Sequence, residues 1–459
     1  MPATPAATLV FHATHALLPQ GWARDVRMVC AGGRLSEVNA GVPAQPGDTA
    51  LAIAVSGLGN LHSHAFQRGM AGLTEIGGQS GDSFWSWREL MYRFLAHLQP
   101  DAVQAIAEQA YVEMLESGFT RVGEFHYLHH AADGTAYANR AEMAERIAAA
   151  AQGSGIGLTL LPVFYAHADF GGAAPNPAQR RLIHDVDGFA ALLQGCTRAL
   201  SGLEDAVLGI APHSLRAVTG EELDALLPLT TGPVHIHIAE QTREVEACVA
   251  WSGLRPVRWL YEHAAVDERW CLVHATHVDD DEVQRMLASR AVVGLCPITE
   301  ANLGDGLFPM QAFARAGGRF GVGSDSNVLI DAAEELRLLE YGQRLLLRGR
   351  NVLAPGDGQS SGRWLFEQSL HGAGQALGVA TGLQVGAPAD VVELDPTHPA
   401  LIARDGDALL DSWVFAARNG AVRSVWRQGR QLVHQGRHLQ RDAVAARFAR
   451  ALQTLLSAG

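Results

Sequence analysis

The chain contains no lysine; all 35 of its basic residues are arginine. That excludes a Schiff-base lysine, a phosphate loop built on lysine, and a metal pair bridged by a carbamylated lysine. Cysteine is also sparse. Cys30, Cys196, Cys248, Cys271 and Cys296 are odd in number, scattered, and in no Cys-x-x-Cys pair. A disulfide framework is therefore not expected, and a reducing cytoplasm is. No run of ~18 apolar residues occurs, and the N-terminus lacks a basic region followed by an apolar core, so neither membrane insertion nor export is expected. Positive charge is in short supply overall. A net charge of -13 repels phosphate backbones and makes nucleic acid a poor candidate partner. An acidic protein that binds an anion has to concentrate its few cations locally, so arginines near a candidate site carry information. No Gly-x-Gly-x-x-Gly follows the first strand, which argues against a dinucleotide site.

What is present is a globular chain of ordinary composition, 48% hydrophobic and 18% charged, long enough for one large domain and a smaller one. The first fifty-odd residues read as short strands: LVFHATHALL, RDVRMVCAGG and DTALAIAV, separated by Gly, Pro and Asp turns. Residues 382–433 have the same character, and residues 441–457 show helical spacing at Val444, Ala445, Phe448, Leu452 and Leu455. Between these ends, eight apolar strands alternate with helical patterns: AVSGLGNLH, FTRVGEFH, GIGLTLLPVF, AVLGIAPH, GPVHIHIAE, RWCLVHATH, AVVGLCP and RFGVGSD. Examples of the helices are PDAVQAIAEQAYVEMLESG and DDDEVQRMLASR, the second opening on Asp residues suited to an N-cap. The expectation is an α/β chain, a (β/α)8 TIM-type barrel over residues 56–381, with a small β-sandwich domain formed from both termini, residues 1–55 and 382–459.

In such a barrel the chemistry sits at the C-terminal ends of the strands. Here those ends carry titratable groups one after another. Strand one ends in His62-Ser63-His64, and a period of two puts both imidazoles on one face. Strand five ends in His235-Ile236-His237, with Glu240 three residues later; strand six ends in His274 and strand eight in Asp325. Three imidazole nitrogens and one carboxylate oxygen suit one divalent ion of zinc type, although iron, cobalt and nickel also accept that set. His235, one pleat deeper, reads as a side chain filling a barrel layer.

His-x-His after strand one, His-x-x-Glu after strand five, His after strand six and Gly-Ser-Asp after strand eight together resemble the amidohydrolase superfamily, in its mononuclear deaminase branch. The GLQVGAPADVVELD segment leading back into the β domain is similar too. The one departure is Ser56-Gly57, where many relatives have Pro-Gly, and it touches only a turn. The resemblance implies that His62, His64, His237 and Asp325 hold the metal. It also implies that Glu240, His274 and Asp325 are catalytic. Asp325 would accept a proton from the attacking water, Glu240 would protonate the departing nitrogen, and His274 would stabilise the attacking oxygen.

Substrate choice falls to other residues. Gln67 follows the His-x-His pair, Arg88 lies in FWSWRELMYRF, Tyr127 follows strand two, and His213 and Arg216 follow strand four. These read as loop positions over one barrel mouth. Two guanidinium forks each suit a carboxylate, and Gln, Tyr and His add hydrogen bonds, so the set fits a small dicarboxylate better than a nucleobase. A surface role for Arg88 and Arg216 is the competing reading of each alone. Together NLHSHAFQRGMAGLTE, FWSWRELMYRF, FHYLHH, APHSLR and HIHIAEQ resemble the formimidoylglutamate deiminase family. That resemblance implies hydrolysis of N-formimino-L-glutamate to N-formyl-L-glutamate and ammonia in bacterial histidine degradation, by a zinc-dependent cytoplasmic homodimer. Three other readings stay open: a deaminase of a guanine-like or adenosine-like ring, an imidazolonepropionate hydrolase, and a non-catalytic barrel. The Gly-rich stretch 72–83 is a candidate loop over the site.

Overall fold

The computed structural model describes residues 9–77, 84–418 and 420–458. Part of the Gly-rich stretch, residues 78–83, lies outside them. Both termini build one antiparallel-rich sheet. Its strands are β1 (Leu9–Leu18), β2 (Gly21–Ala31), β3 (Arg34–Asn39) and β4 (Thr49–Ser56) from the start of the chain, and four more from its end. The barrel strands follow: β5 (Leu58–Ser63), β6 (Phe119–His126), β7 (Gly157–Phe164), β8 (Val207–Leu208), β9 (Ala211–Pro212), β10 (Val234–Ile238), β11 (Trp270–His274), β12 (Val292–Leu295) and β13 (Arg319–Val322). The terminal sheet is completed by β14 (Val391–Leu394), β15 (Val422–Arg427), β16 (Arg430–His434) and β17 (Arg437–His438), in the order β17-β16-β15-β14-β4-β1-β2-β3.

That sheet curls on itself. β4 and β14 stand between β1 and β15, so a flat sheet would hold Phe11 and Trp426 about 14 Å apart at about 4.8 Å per strand. Their ring centroids instead lie 5.5 Å apart, edge to face. The inward faces share one apolar core of Phe11, Val26, Met28, Leu51, Val391 and Trp426. This is how a single hydrogen-bonded path makes the two-faced β domain expected from the sequence.

The eight expected barrel strands are all present, the fourth broken into β8 and β9. They pair in parallel as β5-β6-β7-β8, with β9 on β7, and as β10-β11-β12-β13. Bridges Ile210–Val234 and Ser214–His237 join the two runs on one side, and Ser63–Asp325 closes the ring on the other. Strands β6, β7, β10, β11 and β12 are buried along their whole length, as parallel strands covered by helices outside and filled within must be. Gly323 and Gly372 are sites of close approach. A Cβ on Gly323 would come within 2.7 Å of the His62 backbone, and one on Gly372 within 1.8 Å of the Phe320 carbonyl. The first lets β13 lie against the His-bearing strand; the second lets the Ser361–Leu377 helix seal the barrel from below.

Local signals placed the long helices well. Pro100–Ser117 starts on a proline and ends at Gly118 with φ 103°, and Asp280–Ser289 opens on a capping box between Asp279 and Glu282. Three features differ from the expectation. FWSWRELMYRF is part of a helix, Phe84–His97, not a loop. A helix, Asp407–Phe415, interrupts the strand-like 382–433 segment, because DALLDSWVF is too short and too apolar to show a period. β3 is a polar edge strand that sequence alternation did not reveal. No helix among the described residues is long and apolar enough to cross a membrane.

The barrel and the terminal sheet are pinned by a buried ion triad: Asp205, before β8, accepts from Arg121 of β6 and Arg427 of β15. Burial opposes the Asp205 charge, but the two guanidiniums outweigh it and hold its carboxyl below the ordinary range. Asp205→Ala strands two buried cations. A loss of about 3 kcal/mol or more is expected in urea unfolding, on the scale of a broken buried pair. An unchanged midpoint would show the triad to be dispensable.

Candidate active site

The strand ends deliver four donors to one point. The Nε2 atoms of His62 and His64 are 3.2 Å apart, and those of His62 and His237 are 3.0 Å apart. Asp325 Oδ1 stands 3.5 Å from His62 Nε2 and 3.3 Å from His64 Nε2. All four side chains are buried. The Nδ1 atoms of His64 and His237 face the carbonyls of Phe125 (2.9 Å) and His213 (3.2 Å). A carbonyl only accepts, so each Nδ1 carries the hydrogen and each Nε2 presents a bare lone pair. Those lone pairs meet a third imidazole, whose own Nδ1 has no partner among the described residues. Burial pushes His62 down to about 3 and lowers His64 and His237 as well, so all three rings are neutral. Burial works against the Asp325 charge, but the surrounding histidines hold its carboxyl well below the usual range. Neutral imidazoles aiming lone pairs at an ionised carboxylate make a group that fits a divalent cation.

The backbone is bent to bring this about. His274, Ala275, Asp325 and Asn327 have φ of 67°, 48°, 45° and 56°, left-handed values that cost about 1–3 kcal/mol each and gather at functional sites. A polar network holds the bend. Asp325 N–H donates to His62 O and His64 N–H to Asp325 O, both at 2.9 Å. Asn60 and Ser324 bond each other twice, Ser324 Oγ donates to Asn327, and Asn327 Nδ2 reaches Ser63 Oγ at 3.1 Å.

Above the donors lies a cavity with His64, His237, Glu240, His274 and Asp325 on its floor and Gln67, Arg88, Tyr127, His213 and Arg216 on its walls. His62 sits beneath them. The structure thus brings together every residue singled out from the sequence. His274 Nε2 is 3.8 Å from Glu240 Oε1 and 3.7 Å from Asp325 Oδ2. Burial raises the Glu240 carboxyl to about 7. His274 is raised to about 10, because Glu240, Glu300 and Asp325 outweigh its burial. Gln67 donates to Tyr127 Oη at 2.8 Å, and His213 Nδ1 is 3.1 Å from Ser214 Oγ. His235 turns away and bonds the Ala376 carbonyl at 2.8 Å, as a layer-filling side chain should.

Residues 53–432 match the amidohydrolase family, and residues 8–50 match the N-terminal domain of formimidoylglutamate deiminase HutF. The chain is 50% identical over 448 residues to a formimidoylglutamate deiminase from Pseudomonas aeruginosa, spanning 97% of this chain and 99% of that one. The chain belongs to the amidohydrolase family, among its formimidoylglutamate deiminases. A solved amidohydrolase from Brucella melitensis is 55% identical, with a TM-score of 0.94 over 98% of this chain and 100% of that one. An adenosine deaminase from Xanthomonas campestris with bound zinc shares the fold, at 20% identity and a TM-score of 0.80 over 98% of both chains.

The amidohydrolase site also contains groups that the sequence reading passed over. Glu300, on the Pro297–Leu303 helix after β12, faces His274 Nδ1 at 3.2 Å and accepts the Cys296 N–H at 2.9 Å. Asp305 lies close to Glu240 and His274, and burial raises its carboxyl to about 9. Neither follows a His-x-His or a strand-end pattern. Tyr165, just past β7, lines the cavity and was findable as a polar aromatic at a strand end. Phe84, Trp87, Met91 and Tyr92 come from the Phe84–His97 helix, which roofs the cavity. Metal analysis of the purified family member should find one divalent ion per chain, lost in His62→Ala and kept in His235→Ala. Equal retention in both variants would contradict the donor assignment.

Proposed function

We propose that this chain hydrolyses N-formimino-L-glutamate to N-formyl-L-glutamate and ammonia, as a step of histidine degradation. The observation that carries this reading is the pairing of a four-donor floor and adjoining acid-base groups with two cavity arginines that make no ion pair among the described residues. His62, His64, His237 and Asp325 would hold the ion, and three nitrogens with one oxygen favour zinc. Such an ion supplies Lewis acidity, bringing the pKa of water to ~7. The rest of the chemistry belongs to side chains. Asp325, kept ionised, takes a proton from the water that adds to the formimino carbon. His274, clamped by Glu300, donates a hydrogen bond to the oxygen as charge builds on it. Glu240, which burial keeps protonated near neutrality, gives its proton to the NH2 group that addition to the cationic amidine leaves; the C–N bond breaks with ammonia leaving, and the hydroxyl proton passes back to Glu240 as the formyl C=O forms.

Arg88 and Arg216 would receive the two carboxylates, with Gln67, Tyr127 and His213 contacting the chain and the formimino group. The Pseudomonas relative named for this reaction supports the substrate. A ring deaminase has one observation in its favour: Phe84, Trp87, Tyr92 and Tyr165 offer stacking area that the sequence reading did not count. It leaves two cations without a use. The reading includes a cytoplasmic homodimer, and five buried, unpaired cysteines fit a reducing compartment.

The test is ammonia release by zinc-loaded protein with formiminoglutamate, guanine, adenosine and imidazolonepropionate in parallel. Formiminoglutamate alone should turn over, and Glu240→Gln should lower kcat by roughly 10²–10⁴. Turnover of a ring substrate in preference would overturn the dicarboxylate reading.

A further inference from the structure

Trp85, half-buried on the roof helix, stands among three guanidinium groups. The Cζ atoms of Arg88, Arg243 and Arg216 lie 4.6, 4.7 and 5.5 Å from its ring centroid. The three form a gradient of burial: Arg216 is 5% exposed, Arg88 half-buried and Arg243 exposed. Many of the other arginines pair with carboxylates, for example Arg27 with Asp48, Arg146 with Glu142, Arg255 with Glu282, Arg363 with Glu367 and Arg447 with Glu108. Among the described residues, Arg88, Arg216 and Arg243 make no ion pair. A chain with a net charge of -13 thus gathers around one indole three cations that make no ion pair among its described residues. The indole face holds such groups together despite their repulsion.

Arg88 and Arg216 line the cavity; Arg243 does not. It sits in the first turn of the Thr242–Ser252 helix, three residues after Glu240, and is exposed to solvent. The sequence EQTREVE reads there as an ordinary solvated helix start.

We propose that Arg243 is the outermost of three substrate-capturing cations, attracting a dicarboxylate at the mouth and retaining it over Trp85 while Arg88 and Arg216 engage it. This rests on the dicarboxylate reading above. An exposed cation acts on encounter and residence, not on the reacting carbon, so its loss raises KM and leaves kcat nearly untouched. Its contribution is also screened by salt, because it works through solvent.

Three variants of the metal-loaded protein test this. Arg243→Met keeps the apolar stem and removes the charge, Arg243→Lys restores a charge, and Arg258→Gln removes one from an exposed helix pair, Arg258–Glu262, outside the site. Two measurements are made on each: formiminoglutamate kinetics from low to high salt, and calorimetric binding of glutarate, which needs no turnover. Arg243→Met should raise KM roughly five-fold with kcat within about two-fold, weaken glutarate binding by a similar factor, and flatten the salt dependence of both. Arg243→Lys should recover most of the loss, and Arg258→Gln should match the wild type. If formiminoglutamate is not turned over but glutarate binding still falls in Arg243→Met, the capture role stands and the proposed reaction falls. Unchanged KM, salt dependence and glutarate affinity in Arg243→Met, or no glutarate binding by the wild type, would overturn the inference.

Discussion

Closure of the barrel between its first and last strands is the constraint on which the site depends. β5 carries His62 and leads into His64, β13 leads into Asp325, and the two meet through paired backbone bonds and the Asn60–Ser324–Asn327 network. Gly323 permits the approach, since any side chain there would strike the His62 backbone. Once the strands are held, the imidazole lone pairs and the carboxylate have nowhere to point except at one another. Left-handed φ at His274, Asp325 and Asn327 is the local cost, and packing and polar bonds on all sides maintain it.

Charge follows from the same geometry. Glu240, Glu300, Asp305 and Asp325 gather around His274 in a buried space, an arrangement that water would normally relieve. Here it is answered by the raised affinity of His274 and Glu240 for protons and by Arg216 on the wall. The roof supplies the opposite sign. A helix that buries only Phe84, Met91 and Leu95 lends Phe84, Trp87, Met91 and Tyr92 to the cavity and Trp85 to the guanidiniums. Floor chemistry and roof recognition thus come from separate parts of the chain, tied together where Gln67 and Tyr127 meet Met91 of the roof helix.

The floor was legible in the sequence because its residues sit at strand ends. Period-two spacing put His62 and His64 on one face, and the terminal residues of four apolar runs had to converge once the runs formed a barrel. The wall residues were legible as types, but the element carrying Arg88 was not. Its helix has aromatics on several faces, since only one faces the core, and that blurs the period. Glu300 and Asp305 follow the seventh strand within a short helix and its exit, where a carboxylate is an ordinary surface residue until the fold buries it. Arg243 shares that invisibility: its meaning comes from Trp85, more than 150 positions earlier in the chain.

The central claim is that the floor breaks one bond, between the formimino carbon and its terminal nitrogen. Carbon NMR of substrate labelled with ¹³C at the formimino carbon tests it directly. The account predicts that the label passes wholly into N-formyl-L-glutamate while ammonia accumulates. Label appearing in formamide, with free glutamate beside it, would place the cut on the other nitrogen and contradict the assignment of Glu240 and the arginine wall together.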